Sequence, residues 1–139
     1  MSSQNTIHQC GNLVADPELR ITPSARSVVQ FRIGVNDRYQ VNGEWRERSS
    51  FQTVIAWGGL AENIAATLHK GDRVMVSGRL DQRTFDAADG TRQYRTEITA
   101  DEVGVALRWA QVDGKVVRVT GTPALVASNG EVVEPEPEF

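Results

Sequence analysis

Three stretches of this chain repeat with a period of two, and that repeat limits the fold more than any other feature. In Ser27 to Tyr39, Val29, Phe31, Ile33 and Val35 share one face while Gln30, Arg32 and Asn36 share the other. Ser49 to Trp57 puts Phe51, Thr53, Ile55 and Trp57 on one parity, and Arg73 to Arg83 sets Val74, Val76, Gly78 and Leu80 against Arg73, Met75, Ser77, Arg79, Asp81 and Arg83. Segments of this kind must bury one face in a sheet. The punctuation between them predicts how they connect. Val41-Asn42-Gly43-Glu44 carries an Asn-Gly hairpin signal, Asp16-Pro17-Glu18 reads as a turn, and Asp86 to Gly90 reads as a hairpin tip before a returning strand from Gln93 to Val105. Thr6 to Leu13 supplies a first short strand closed by Gly11-Asn12.

Only Leu60 to Leu68 changes period, with Leu60, Ile64, Ala65 and Leu68 three or four apart and Lys70-Gly71 behind them as a positive last turn and a glycine stop. The predicted order is three strands, one helix, then two strands. This all-β order is that of a five-stranded oligonucleotide-binding barrel with its helix between strands three and four. Residues 1–110 form that domain. Residues 111–139 are an extension, with a further strand expected at 115–120 and a flexible, acidic tail at 121–139 that is rich in Pro, Gly, Ser and Glu.

Charge has to be read by region. The net charge of −3 looks wrong for a partner of nucleic acid. Residues 1–110, however, hold 13 of the 15 basic and 13 of the 18 acidic residues, so the excess acid lies wholly in the extension. The 139 residues suit one domain, no run nears the roughly 18 apolar residues of a membrane span, and the start has no export signal. The expectation is a cytoplasmic, nucleoid-associated protein with no membrane partner. Catalytic chemistry is sparse: His8 and His69 read as packing or surface residues and Cys10 as a small buried hydrophobe. There is no Walker loop, metal-ligand spacing or nucleophile elbow. A binding module without cofactor or metal is expected, not an enzyme.

Four aromatics fall where a barrel groove would use them: Tyr39, Phe51, Trp57 and Phe85. Arg32, Arg38, Arg48, Arg73, Arg79, Arg83 and Arg95 lie on or beside the same strands, as do Arg46 and Arg92. Rings that stack on bases, with cations for phosphates, give sequence-tolerant affinity for single strands. Parity alone also allows Phe51 to be a core residue, and allows Arg73, Arg79 and Arg83 to form an ordinary solvated face.

Four stretches bear on these readings: GNLVADPELRITPS (11–24), VVQFRIGVNDRY (28–39), FQTVIAWGGLAENIAATLHKGDRVMVSGRL (51–80) and QYRTEITADEVG (93–104). In collinear order over about residues 5–110, they resemble the bacterial single-stranded-DNA-binding protein family. The resemblance implies the barrel, a homotetramer, and base stacking at Phe51, Trp57, Phe85 and Tyr39, with Phe51 and Phe85 standing where the family often has Trp. It implies roles in DNA replication, repair and recombination. Asp113 to Thr120 resembles a strand that hooks one dimer to another. The end, Glu134-Pro135-Glu136-Pro137-Glu138-Phe139, approximates an acidic tip on which replication and repair proteins dock, so Glu136, Glu138 and Phe139 are candidate docking residues. The competing reading is an accessory protein of a primosome or mobile element that uses the same barrel mainly to bind proteins.

Overall fold

The computed structural model describes residues 5–119 together with the backbone of two short strands further on. Its elements are β1 (Thr6–Leu13), β2 (Glu18–Ile21), β3 (Ser27–Val41), β4 (Glu44–Trp57), α1 (Gly58–Thr67), β5 (Arg73–Asp86) and β6 (Arg92–Val105), then β7 (Leu125–Val126) and β8 (Val132–Val133). The sheet order is β1-β5-β6-β4-β3-β2, and β1 also pairs with β3, so β1, β3, β4, β5 and β6 close into a barrel. All pairings are antiparallel except β4 with β6, which are parallel through Thr53–Glu97, Val54–Ile98 and Ile55–Thr99.

The inward parity predicted for β3 and β5 is the core. Val29, Phe31, Ile33, Val54, Ala56, Val74, Val76 and Ile98 are buried together, and α1 adds Ala61 and Ile64. Burying each large aliphatic here contributes about 1.5–3 kcal/mol. Two glycines let the barrel close. A Cβ on Gly11 would lie 2.7 Å from the Gly34 carbonyl oxygen of β3, and one on Gly78 would run into the Thr99 carbonyl oxygen. Gly78 also marks an irregularity of the β5–β6 ladder between Ser77 and Gly78. The β3–β4 turn is the predicted two-residue hairpin: Val41 pairs with Glu44, and Asn42 (φ 51°) and Gly43 (φ 82°) both take the left-handed backbone that a type I′ turn needs.

Several expectations need correction. Glu18–Ile21 follows the predicted turn as an extra edge strand on β3; all four residues are exposed, so no burial pattern announced it. The helix starts at Gly58 and ends before Lys70-Gly71, with Leu68 already extended. Lys70 and Gly71 instead hold the turn into β5, the Lys70 N–H donating to Asp16 Oδ1 and the Gly71 N–H to the Leu13 carbonyl. Leu80 has the inward parity but is 49% exposed: β5 has no β1 partner beyond Arg79, although Ile98 opposite Leu80 on β6 is still paired with β4 and buried. Residues 115–119 carry no strand within the single chain, and Val116, Val117 and Val119 are exposed. No described helix is long and apolar enough to cross a membrane.

Candidate nucleic-acid interface

Cross-strand register assembles one continuous outer face. On β3 it carries Gln30, Arg32, Asn36 and Arg38; their partners on β4 are Ile55, Thr53, Ser49 and Glu47, on the same parity as Phe51 and Trp57. The parallel ladder extends it from Thr53 and Ile55 to Glu97 and Thr99 of β6, and the β5–β6 register adds Arg79, Asp81, Arg83 and Phe85 opposite Thr99, Glu97, Arg95 and Gln93. Phe51 (54%), Trp57 (38%) and Phe85 (41%) are all open to solvent on this face. The parity that left Phe51 open between core and groove is resolved by Val54 and Ala56, which take the core side of β4.

Each of these rings has a guanidinium over it. Arg32 lies 5.0 Å from the Phe51 centroid, Arg95 5.5 Å from that of Phe85, and Arg26 4.6 Å from that of Trp57. Arg26 was not among the residues expected from sequence. It reaches Trp57 from the β2–β3 turn, where Ala25 takes φ 63° and the Thr22 N–H donates to the Arg26 carbonyl. The run Thr22-Pro23-Ser24 carries a turn signal, but nothing local says that the turn meets Trp57.

Carboxylates also occupy this face. Arg38 meets Glu47 at 3.7 Å with both side chains well exposed, whereas Arg83 meets Glu97 at 3.5 Å with Glu97 only 4% exposed. The Thr99 hydroxyl donates to Asp81 nearby. Arg32, Arg79 and Arg95 have no carboxylate partner among the described residues, so their charge is available to an incoming anion. At the ribbon tip, the Thr91 hydroxyl and N–H donate to Asp89, holding its carboxyl below the ordinary carboxylate value. Among the described residues no cluster of His, Cys, Asp and Glu is suited to a metal ion.

The family model of the single-strand binding proteins matches residues 4–106, which span the whole barrel and this face. The chain belongs to that family. It is 41% identical over 113 residues to the single-stranded DNA-binding protein of Mycolicibacterium smegmatis, covering 79% of this chain and 68% of that one. The corresponding protein of Corynebacterium glutamicum is 44% identical over 106 residues, 74% of this chain but only 47% of its relative. Single-stranded DNA-binding protein 2 of Streptomyces coelicolor is 40% identical over 124 residues, covering 87% of this chain and 61% of that protein. The chain therefore matches about half to two thirds of the length of these relatives.

Of the residues expected to form the site, Arg32, Arg38, Phe51, Trp57, Arg79, Arg83, Phe85 and Arg95 share the outer face. Tyr39 and Arg48 have the opposite parity of the β3–β4 ribbon, Tyr39 opposite Arg46 and Arg48 opposite Asp37. Arg73 lies elsewhere: it stacks on Trp109, 4.7 Å from the ring centroid, and donates to Asn12 Oδ1 at 3.4 Å. Glu136, Glu138 and Phe139 lie outside the described residues.

Proposed function

We propose that this chain binds single-stranded DNA without sequence preference, coating and protecting it in replication, repair and recombination, and that it acts as a homotetrameric binding module with no catalytic step. The observation that carries this is the outer face of β3, β4, β6 and β5, where three exposed rings each sit beneath an arginine. An incoming base displaces the guanidinium from the ring. The exchange is favourable because an exposed cation–π contact is worth about 0.5–1 kcal/mol, while base stacking is worth about 1–3 kcal/mol. The displaced guanidinium stays tethered beside the base, where the phosphate lies. Every base has a π-face, so discrimination among sequences is slight.

Assembly is supported by β1. It pairs with β5 from Thr6 to Asn12 but with β3 only at Asn12 and Leu13, which leaves most of its second edge open to a second copy. The adjoining surface holds a largely apolar hollow of about 390 Å³ lined by His8, Cys10, Met75 and Gly104, among others. Residues 115–119, with their three exposed valines, fit the role of a hook between dimers. The carboxylates and Phe139 at the chain end remain the proposed docking peptide for replication and repair proteins.

Titration with homopolymeric deoxynucleotides, read by tryptophan fluorescence, tests the binding reading. Quenching by oligo-dT, oligo-dC and oligo-dA within about tenfold of one another is expected, since stacking of every base supplies the affinity. Absence of quenching and of retention at low salt would remove it and leave the protein-binding accessory role. Light scattering tests assembly, with a tetramer expected at micromolar concentration and a monomer contradicting it.

A further inference from the structure

A second cationic site lies away from the outer face, where β6 gives way to the extension. Trp109 is 70% exposed, yet two guanidinium groups converge on its ring: Arg73 from β5 at 4.7 Å from the centroid and Arg108 at 5.1 Å. Neither has a carboxylate partner among the described residues; Arg73 has only the neutral Asn12 amide oxygen, at 3.4 Å. Two like charges held on one indole repel each other. Each cation–π contact offsets only about 0.5–1 kcal/mol of such repulsion at an exposed site. An anion beside the ring would meet the positive field of both groups and relieve that repulsion, and guanidinium groups favour phosphate because their paired N–H donors match its oxygens.

The surroundings fit such a ligand. Trp109 and Arg73 line a cleft of about 820 Å³ that also includes Asn12, His69 and Lys115, while Arg108 approaches the ring from outside that lining. Asp72, the carboxylate nearest in sequence to Arg73, is engaged by the His69 N–H at 2.8 Å. Asp113 also lines the cleft, and no ion pair engages it among the described residues. It sets a limit on how much negative charge the cleft accepts, so a single phosphate fits better than a run of them.

We propose that Arg73, Trp109 and Arg108 form a phosphate clamp that holds a distal phosphate of a single strand after the strand leaves the outer face. This rests on the reading of the outer face as the strand-binding surface. Arg73 thus serves the strand, as expected from sequence, but at a second station.

The test compares Arg108→Gln and Trp109→Leu with the unaltered full chain on two deoxythymidine oligomers. One is about 8 nucleotides, within the span of a single barrel of this type, and the other is several times longer. The clamp predicts that the short oligomer binds all three proteins within twofold. The long one should bind each variant several-fold more weakly, with the dependence of log affinity on log salt reduced by about 0.7, the value of one phosphate contact on a single strand. Equal affinities for the long oligomer would overturn the clamp, as would equal weakening for both lengths. Light scattering on the same variants separates a further reading: loss of the assembly would make Trp109 a subunit contact and also overturn it. Inorganic phosphate distinguishes the source of the anion. If millimolar phosphate perturbs tryptophan fluorescence equally with and without saturating long strand, and Arg108→Gln abolishes that response, the cleft takes free phosphate and the strand proposal fails. If the unaltered protein does not bind the short oligomer, the outer-face reading fails instead, whatever the variants do.

Discussion

The β3–β4 and β5–β6 ribbons are built alike and differ in one respect. Each carries an exposed phenylalanine under an arginine, Phe51 under Arg32 and Phe85 under Arg95, and each carries an arginine–glutamate pair on the same face. In the first ribbon the pair is open: Arg38 and Glu47 are both well exposed at 3.7 Å, so Arg38 can leave for a phosphate at little cost. In the second, Glu97 is buried beneath Arg83. Should Arg83 turn to a phosphate, it leaves a buried carboxylate unpaired, and that desolvation cost holds it in place. Under the proposed binding mode, two arginines of the same type and parity would therefore play different parts, one free to follow the strand and one anchoring the floor beneath it.

The comparison can be broken first at the point where the second ribbon leaves the barrel. Gly78→Ala should cause the largest loss, several kcal/mol of folding stability, since its Cβ would meet the Thr99 carbonyl and Ala100 backbone with no flexible atom to yield. Denaturant unfolding would check it, and an unchanged midpoint would show that the β5–β6 crossing is slacker than described.

A smaller effect is expected at the rings. Phe51→Ala and Phe85→Ala should each lower single-strand affinity by about 1–3 kcal/mol while lowering folding stability by only about 1 kcal/mol, because both rings are partly exposed and each loses one cation–π contact. If one costs affinity and the other nothing, the strand follows a single ribbon.

The ion pairs sharpen the contrast. Arg83→Gln should cost about 1–2 kcal/mol of folding stability by stranding Glu97, whereas Arg38→Gln should leave stability within about 0.5 kcal/mol. Binding should show the reverse order: Arg38→Gln lowers the salt dependence by about 0.7 and Arg83→Gln does not. Matching salt slopes for the two variants would mean that Arg83 also follows phosphate.

What could be read from sequence was whatever repeats along one strand. Alternation in Ser27 to Tyr39 and Arg73 to Arg83 identified the core side, Asn42-Gly43 identified the hairpin, and the changed spacing from Leu60 to Leu68 identified the helix. Contacts between distant segments left no such mark. β2 has no buried side to alternate, Arg26 meets Trp57 only because a turn folds back on the strand end, and Glu97 sits on the outward parity, where alternation predicts exposure. Its burial comes from Arg83 and the strands around it, which a one-dimensional pattern does not contain. Arg73 shows the converse: its parity matched Arg79 and Arg83, but it stands at the start of β5 opposite Asn12, where its neighbour is Trp109.

The central claim is that exposed rings on one curved face take bases that are free to unstack, and competition between strands tests it most directly. The full chain is saturated with a fluorescent single strand and challenged at fixed, moderate salt with unlabelled single strand or with duplex of the same length. Stacking on Phe51, Trp57 and Phe85 requires base faces that a duplex hides, so the account predicts displacement by single strand at concentrations at least a hundredfold lower than by duplex, on the order of two stacked bases. Equal displacement by duplex would mean that the arginines alone carry the affinity, and would contradict it.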